Sequence, residues 1–259
     1  MGLRLSNKSI VIVGGTSGLG LSAAAACVAE GARLVVIGRD GEKCRQAVAA
    51  LGEGVQAVVG DAADPSTAQN AVTCAVREYG RLDGLYHVAG GSGRKAGDGP
   101  LHEIGVEGWD YTLSTNLNGV FYSNQAAVRQ MLKQEEGCSI VNMSSVLGFS
   151  PSANFFATHA YAASKAAEIG LSKACAAYYG PHRIRFNVIA PGLVDTPMAQ
   201  RALADEDTMR YIQTKQCLDG GRAGVATDVD QATVYLLSDE SKFVTGQVLA
   251  VDGGWSVRG

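Results

Sequence analysis

The stretch "SIVIVGGTSGLGLSAAAACVA" (residues 9–29) decides the fold. After Ser9, its next four residues are apolar and β-branched without alternation, as in a strand covered on both faces. Gly14, Gly18 and Gly20 follow in the order G-x-x-x-G-x-G, and an Ala-rich run then predicts a helix over 18–30. Glycines between a strand and a helix allow a tight turn. They also let backbone N–H groups approach a pyrophosphate at the helix N-terminus. The glycines alone would fit a plain turn; between a first strand and a long helix they point to a dinucleotide site. Thr16, Ser17 and Leu19 belong to the same expected contact.

Outward from this unit the pattern repeats. Further strands are expected at 33–37, 55–59, 82–88, 139–143, 184–189 and 247–251, and helices near 41–51, 67–79, 109–135, 161–179 and 228–238. Such alternation predicts an α/β fold: one Rossmann-like, doubly wound parallel sheet of seven strands with helices on both faces, spanning 1–259 as a single domain. The Gly-rich "GGSGRKAGDGP" (90–100) reads as a surface loop at the site and not as a linker.

The second strand ends in "VVIGRD", placing Gly38, followed by Arg39 and then Asp40, where NAD-binding chains usually carry an acidic residue for the ribose 2′-hydroxyl. Arginine pairs with a 2′-phosphate, and glycine removes the repelling anion. NADP(H) is therefore the favoured cofactor, with NAD(H) as the alternative if Asp40 reaches the ribose. After the third strand, Asp61 is a candidate acceptor for the adenine amino group, whereas Asp64 before Pro65 fits a helix cap.

Bulk properties narrow the field. The 259 residues are 46% hydrophobic with net charge −3, so there is no basic stripe for nucleic acid. No apolar run is long enough for a membrane span, and "MGLRLSNKS" (1–9) has no apolar signal core. Cys27, Cys44, Cys74, Cys138, Cys175 and Cys217 form no C-x-x-C pair, which fits thiols in a reducing, cytoplasmic setting. The four histidines lack metal-ligand spacing, so no metal is expected.

The segment "HAYAASKAAEIG" (159–170) sets Tyr161 and Lys165 four positions apart on one helix face. Tyrosine must shift down by ~3 units, or ~4 kcal/mol, to exchange a proton at neutral pH. A cation at ~4 Å in an effective dielectric of ~20 supplies about that much, but only ~1 kcal/mol in water. The pair is a proton-transfer device if buried and inert if not.

In order and spacing these motifs resemble the single-domain short-chain dehydrogenase/reductase family. The resemblance rests on the glycines of 14–20, Asp61, "HVAG" (87–90), Asn116 in "STNLNGVF", "IVNMSSVLG" (140–148), Tyr161/Lys165, "FNVIAPGLVDTP" (186–197) and "VTGQVLAVDGG" (244–254). It implies a carbonyl/secondary-alcohol oxidoreductase. Tyr161 would be the general acid/base, and Ser145 would bond the substrate oxygen. Lys165 would lower the Tyr161 pKa and hold the nicotinamide ribose, and Asn116 would hold a water leading from Lys165 to solvent. Ala62, Ala89 and Gly90 would line the cofactor, Pro191 and Gly192 would turn beneath the nicotinamide, and Val194 and Thr196 would hold its carboxamide. The family's helix 109–135 and 161–179 contact and its C-terminal contact imply a homotetramer, or a homodimer. A non-catalytic dinucleotide-binding or sensing protein is the rival, which does not need Asn116, Ser145, Tyr161 and Lys165 together.

Three departures stand out. Val13 replaces the family's usual Thr, and His87-Val88 replaces its usual Asn-Asn, so Val13–Val88 packing is expected to replace a polar tie between strands. Ser145 precedes Tyr161 by sixteen residues, a few more than usual, with the extra length expected in "SPSANFFATH" (150–159). Ser144 is the nearest competitor of Ser145, ahead of Ser150 and Ser152. His87 reads as packed or cofactor-lining, His159 as a loop residue, Arg94 and Lys95 as solvated. Segment 195–222, with Met198, Met209, Tyr211 and Ile212, falls where the family has its substrate lid.

Overall fold

Strands β1 (Ser9–Val13), β2 (Arg33–Gly38), β3 (Val55–Val59), β4 (Gly84–His87), β5 (Cys138–Met143), β6 (Ile184–Pro191) and β7 (Val248–Val251) form one parallel seven-stranded sheet, in the order β3-β2-β1-β4-β5-β6-β7. A computed structural model describes residues 2–152 and 154–258; Met1, Ala153 in the expected insertion and the terminal Gly259 lie outside them. The strand order reverses between β1 and β4, which opens a crevice at their carboxyl ends.

All of β1 and β5 is buried, as the unbroken apolar runs require. Ile10, Ile12, Leu34 and Val36 face α1 (Gly18–Ala29), α2 (Gly41–Leu51) and α9 (Thr227–Leu237). Val11, Val13, Val35 and Ile37 face α3 (Pro65–Tyr79), α5 (Gly119–Met131) and α6 (His159–Tyr179). Helix starts follow local chemistry. Asp64 caps α3 by accepting the Ser66 N–H, Pro65 takes the first position, and Gly80 ends the helix in the left-handed region at φ 80°.

The expected helix over 109–135 differs. It begins as α4 (Val106–Leu113), widens into a π-helical turn at Ser114–Asn118 and continues as α5. The expected lid resolves into α7 (Gln200–Leu203) and α8 (Glu206–Lys215). Val13–Val88 packing is also corrected. The Val88 N–H does donate to the Val13 carbonyl at 3.0 Å. The parallel register, however, pairs Val13 with His87, and the two valine side chains join opposite cores. Successive residues of a strand point to opposite faces, so Val88 packs near Gly20 of α1 instead.

Candidate active site

The crevice holds a cavity of about 460 Å³. One half is built from the glycine loop. Gly14 has φ +88°, and an added Cβ would lie 2.8 Å from the Ala89 backbone nitrogen. At Gly20 an added Cβ would lie 2.1 Å from the Gly14 carbonyl oxygen, so the loop closes onto α1 only with glycine there. Ser17 precedes α1 without a side-chain cap, which leaves the first N–H groups of α1 to the cavity, beside Thr16, Gly18 and Leu19. This cradle fits a dinucleotide pyrophosphate.

At the cavity's outer end lie Arg39, Asp61 and Ala62. The Arg39 side chain is 72% exposed and sits 4.0 Å from Asp61. Asp40 is turned away from this end and caps α2, accepting the N–H groups of Glu42 at 2.8 Å and Lys43 at 3.2 Å. Those bonds hold its carboxyl below the usual range. Asp61 accepts the Ala63 N–H at 2.9 Å, a local turn.

The other half is the reactive end. Ser144 and Ser145 follow β5. Ser144 donates to the Lys165 carbonyl at 2.8 Å and is buried. Ser145 lines the cavity, accepts the Leu147 N–H at 3.2 Å, and lies close enough to the Tyr161 phenol to favour its ionised form. Both serines line the cavity, but the Ser144 hydroxyl is taken up by the Lys165 carbonyl, whereas the Ser145 hydroxyl faces Tyr161. Tyr161 lines the cavity from the first turn of α6, and the Lys165 ammonium is 5.6 Å from its ring centroid. Lys165 is buried and donates to the Met143 carbonyl and to Glu168, each at 2.8 Å.

Burial reverses the shift expected for the Tyr161 phenol. Lys165 does favour the phenolate, but burial of the phenol outweighs it, and Glu168 opposes it as well. The Tyr161 pKa is held above the ordinary tyrosine value, not below it.

Asn116 is buried in the π-helical turn, and its amide is committed to backbone. It accepts the Gly91 N–H at 3.0 Å and donates to the carbonyls of Gly91 at 3.0 Å and Thr112 at 2.8 Å. Gly90 lies between this amide and Lys165; an added Cβ there would be 2.6 Å from Asn116 Oδ1 and 3.6 Å from Lys165 Nζ. Ala89 and Gly90 line the cavity on one side, and Pro191, Gly192, Val194 and Thr196 line it on the other.

The insertion expected at 150–159 contributes Phe156 to the cavity wall, beside Trp255. Phe155 packs on Tyr211 of α8 with ring centroids 4.9 Å apart, and Phe156 packs on Trp255 at 5.8 Å. Trp255 donates from Nε1 to the Ser150 carbonyl at 3.0 Å. His87 is packed: it is wholly buried, its Nδ1 is 2.7 Å from Ser123 Oγ, and burial together with Lys165 pushes its pKa down to about 3. His159 opens α6 and is not a loop residue; it is exposed and accepts the Leu101 N–H at 2.9 Å. Arg94 is half-buried and lines the cavity with Arg201 of α7; neither forms an ion pair among the described residues.

Four residues went unread at the sequence level: Asp98, Glu168, Arg201 and Trp255. Only Glu168 carried a local signal, its i,i+3 spacing from Lys165.

The family model described as enoyl-(acyl carrier protein) reductase matches residues 13–256. Over 98% of both chains the protein is 35% identical to 2-(S)-hydroxypropyl-CoM dehydrogenase 3 of Xanthobacter autotrophicus. It is 34% identical, over 98% of both chains, to the L-rhamnose 1-dehydrogenase (NAD(P)(+)) of a Sphingomonas species. A short-chain type dehydrogenase/reductase structure from Mycobacterium ulcerans superposes with a TM-score of 0.89 at 31% identity, covering 100% of this chain and 92% of that one. With its parallel sheet, glycine cradle and Tyr161/Lys165 face, the chain belongs to the short-chain dehydrogenase/reductase family, nicotinamide-dependent oxidoreductases of alcohols and carbonyls.

Proposed function

We propose that the protein is an NADP(H)-preferring oxidoreductase that interconverts a carbonyl and a secondary alcohol, with Tyr161 as the general acid/base. The observation that carries this reading is the convergence of Ser145, Tyr161 and Lys165 on one cavity beside the glycine cradle. The cofactor supplies or accepts the hydride. Ser145 donates a hydrogen bond to the substrate oxygen as charge develops on it. Tyr161 gives that oxygen its proton in reduction and removes it in oxidation. Lys165 favours the phenolate and holds ribose hydroxyls, while Asn116 fixes Gly91 beneath them. Val194 and Thr196 hold the carboxamide, with Pro191 and Gly192 forming the turn beside it. NADP(H) is preferred because Arg39 is available to a 2′-phosphate, whereas Asp40 is engaged as a helix cap.

The substrate has an apolar body that packs on Phe156 and Trp255, and Arg94 and Arg201 favour one bearing an anionic group. The chain works as one catalytic domain over 1–259, in the cytoplasm, in keeping with its six free cysteines. Exposed Tyr111, Phe121 and Tyr178 on α4–α6, and Phe243 and Val257 near the C-terminus, support a homotetramer.

Tyr161→Phe tests the mechanism. Turnover of a ketone panel with NADPH should fall by about 10²–10⁴-fold, while NADPH affinity stays within a factor of about two to three because the ring is kept. Undiminished turnover would remove Tyr161 from the chemistry and with it this mechanism; absence of turnover in the unmodified protein would leave the dinucleotide-sensing alternative.

A further inference from the structure

Glu168 lies one helical turn beyond Lys165 on α6, and none of it is exposed. Its Oε1 accepts from Lys165 Nζ at 2.8 Å, whereas its Oε2 has no hydrogen-bond partner among the described residues. An unsatisfied carboxylate oxygen in a dry interior is unfavourable, and an Ala-rich packing helix has no need of one.

The groups around it are few. On α6 are Tyr161, Lys165 and Ser172, whose hydroxyl donates to the Glu168 main-chain carbonyl at 2.8 Å. From β5 come the Met143 carbonyl, which accepts from Lys165 at 2.8 Å, and Asn142, which donates to Ser172 at 3.0 Å. Asn124 of α5 bonds Asn142 at 3.0 Å. From β4, His87 feels the Lys165 charge and is neutral, its pKa pushed down to about 3. Asn116 of the π-helical turn is uncharged. Asp98 meets only the backbone N–H of Tyr161, so the charge balance at the Tyr161 phenol rests on one cation, Lys165, and one carboxylate, Glu168.

We propose that Glu168 is a positioning residue of the proton-transfer site: it clamps the Lys165 ammonium and, as an anion, offsets that charge so that Tyr161 keeps its proton. The proposal rests on the reading of Tyr161 as acid/base. When Glu168 takes up a proton, the Lys165 charge acts on Tyr161 unopposed and the phenolate becomes easier to form. Burial raises the Glu168 carboxyl to about 7 despite Lys165, so this change falls near neutral pH. An ionised Glu168 sets the site for proton donation to a carbonyl, and a protonated one sets it for proton removal from an alcohol.

The sign is fixed by Coulomb's law. Removing the carboxylate lowers the proton affinity of Tyr161. Tyrosinate absorbance measures this without any substrate, and subtracting the titration of the matching Tyr161→Phe protein isolates Tyr161 from the other tyrosines. In Glu168→Gln the Tyr161 midpoint should fall by about one pH unit, with NADPH affinity nearly retained, and Glu168→Asp should restore most of the native midpoint. Glu168→Met makes the same charge change with an apolar chain and should shift the midpoint the same way if the Gln variant fails to fold. An unchanged or raised midpoint in the folded variants, or failure of both to fold, would overturn the proposal by leaving Glu168 a structural role alone. A lowered midpoint with undiminished turnover in Tyr161→Phe would instead retire Tyr161 as the acid/base and leave the Glu168–Tyr161 coupling standing.

Discussion

Asp98 Oδ2 accepts the backbone N–H of Tyr161 at 2.9 Å, across 63 positions of sequence. Its Oδ1 accepts the Ala160 N–H at 3.0 Å. Thr158, at the cap position of α6, provides no side-chain capping bond, so a buried carboxylate from the Gly-rich loop serves the orphan N–H groups instead. One residue thereby ties the loop after β4 to the turn of helix that carries the phenol. Asp98→Ala should destabilise the fold by about 1–2 kcal/mol, read as a lower urea midpoint. It should also lower kcat by about tenfold, because the geometry of Tyr161 loosens, and leave NADPH affinity almost unchanged. Loss of stability with an unaltered kcat would show that Tyr161 is positioned from elsewhere.

His87 makes a prediction about acid sensitivity. Its folded pKa of about 3 lies below the ordinary 6.5. As pH falls through 6.5 the unfolded chain takes up this proton first, so stability is lost between about pH 6.5 and 3. Two units below 6.5, at pH 4.5, the loss is about 3 kcal/mol. Glu168 has the opposite sign: its pKa is raised to about 7, so the folded chain gains stability as pH falls from 7 toward 4.5. Comparing the protein with His87→Asn at each pH cancels that contribution. The stability difference between the two should shrink or reverse by about 3 kcal/mol from pH 7.5 to 4.5. A constant difference would mean that His87 titrates alike folded and unfolded.

How far the site could be read beforehand depended on the range of the forces involved. The unit β1–loop–α1 was legible because unbroken apolar residues and glycine spacing are local signals. The π-helical turn at Ser114–Asn118 was not, since the Asn116 amide bonds Gly91, 25 positions away, and no periodicity records that. The Tyr161/Lys165 face followed from helix geometry. The direction of the Tyr161 shift did not follow from it, because desolvation depends on what β5 and the aromatic insertion cover. Likewise Val13 and Val88 are neighbours through the backbone, but strand pleating sends their side chains apart.

The glycine cradle carries a steric prediction. An added Cβ at Gly20 would meet backbone, at 2.1 Å from the Gly14 oxygen and 2.8 Å from its carbon, so no side chain can swing aside to relieve it. Gly20→Ala should destabilise the fold by about 1–3 kcal/mol and weaken NADPH and NADH binding together, since the pyrophosphate is common to both. Gly170→Ala is the control: nothing lies within 4 Å of its added Cβ, and it sits inside α6, so it should be neutral or stabilising. Tight binding in Gly20→Ala, measured by NADPH fluorescence titration, would place the pyrophosphate elsewhere.

Cofactor preference turns on three charges at the end of β2 and β3. On the NADP(H) reading, Asp40 is kept from the ribose by its two backbone bonds on α2. Asp61 stands 4.0 Å from Arg39, with both side chains more than half exposed, so the ion pair between them is worth little. A 2′-phosphate would offer Arg39 a stronger partner through charge-assisted hydrogen bonds, worth about 1.5–3 kcal/mol. Arg39→Ala should therefore weaken NADPH binding roughly ten- to a hundredfold and leave NADH binding nearly unchanged. Because the contact is exposed, NADPH affinity should also fall as salt rises, and that slope should flatten in the variant. Equal loss of both cofactors would assign Arg39 to the adenosine they share, and a gain in NADH affinity on Asp40→Ala would remove Asp40 from the ribose contact altogether.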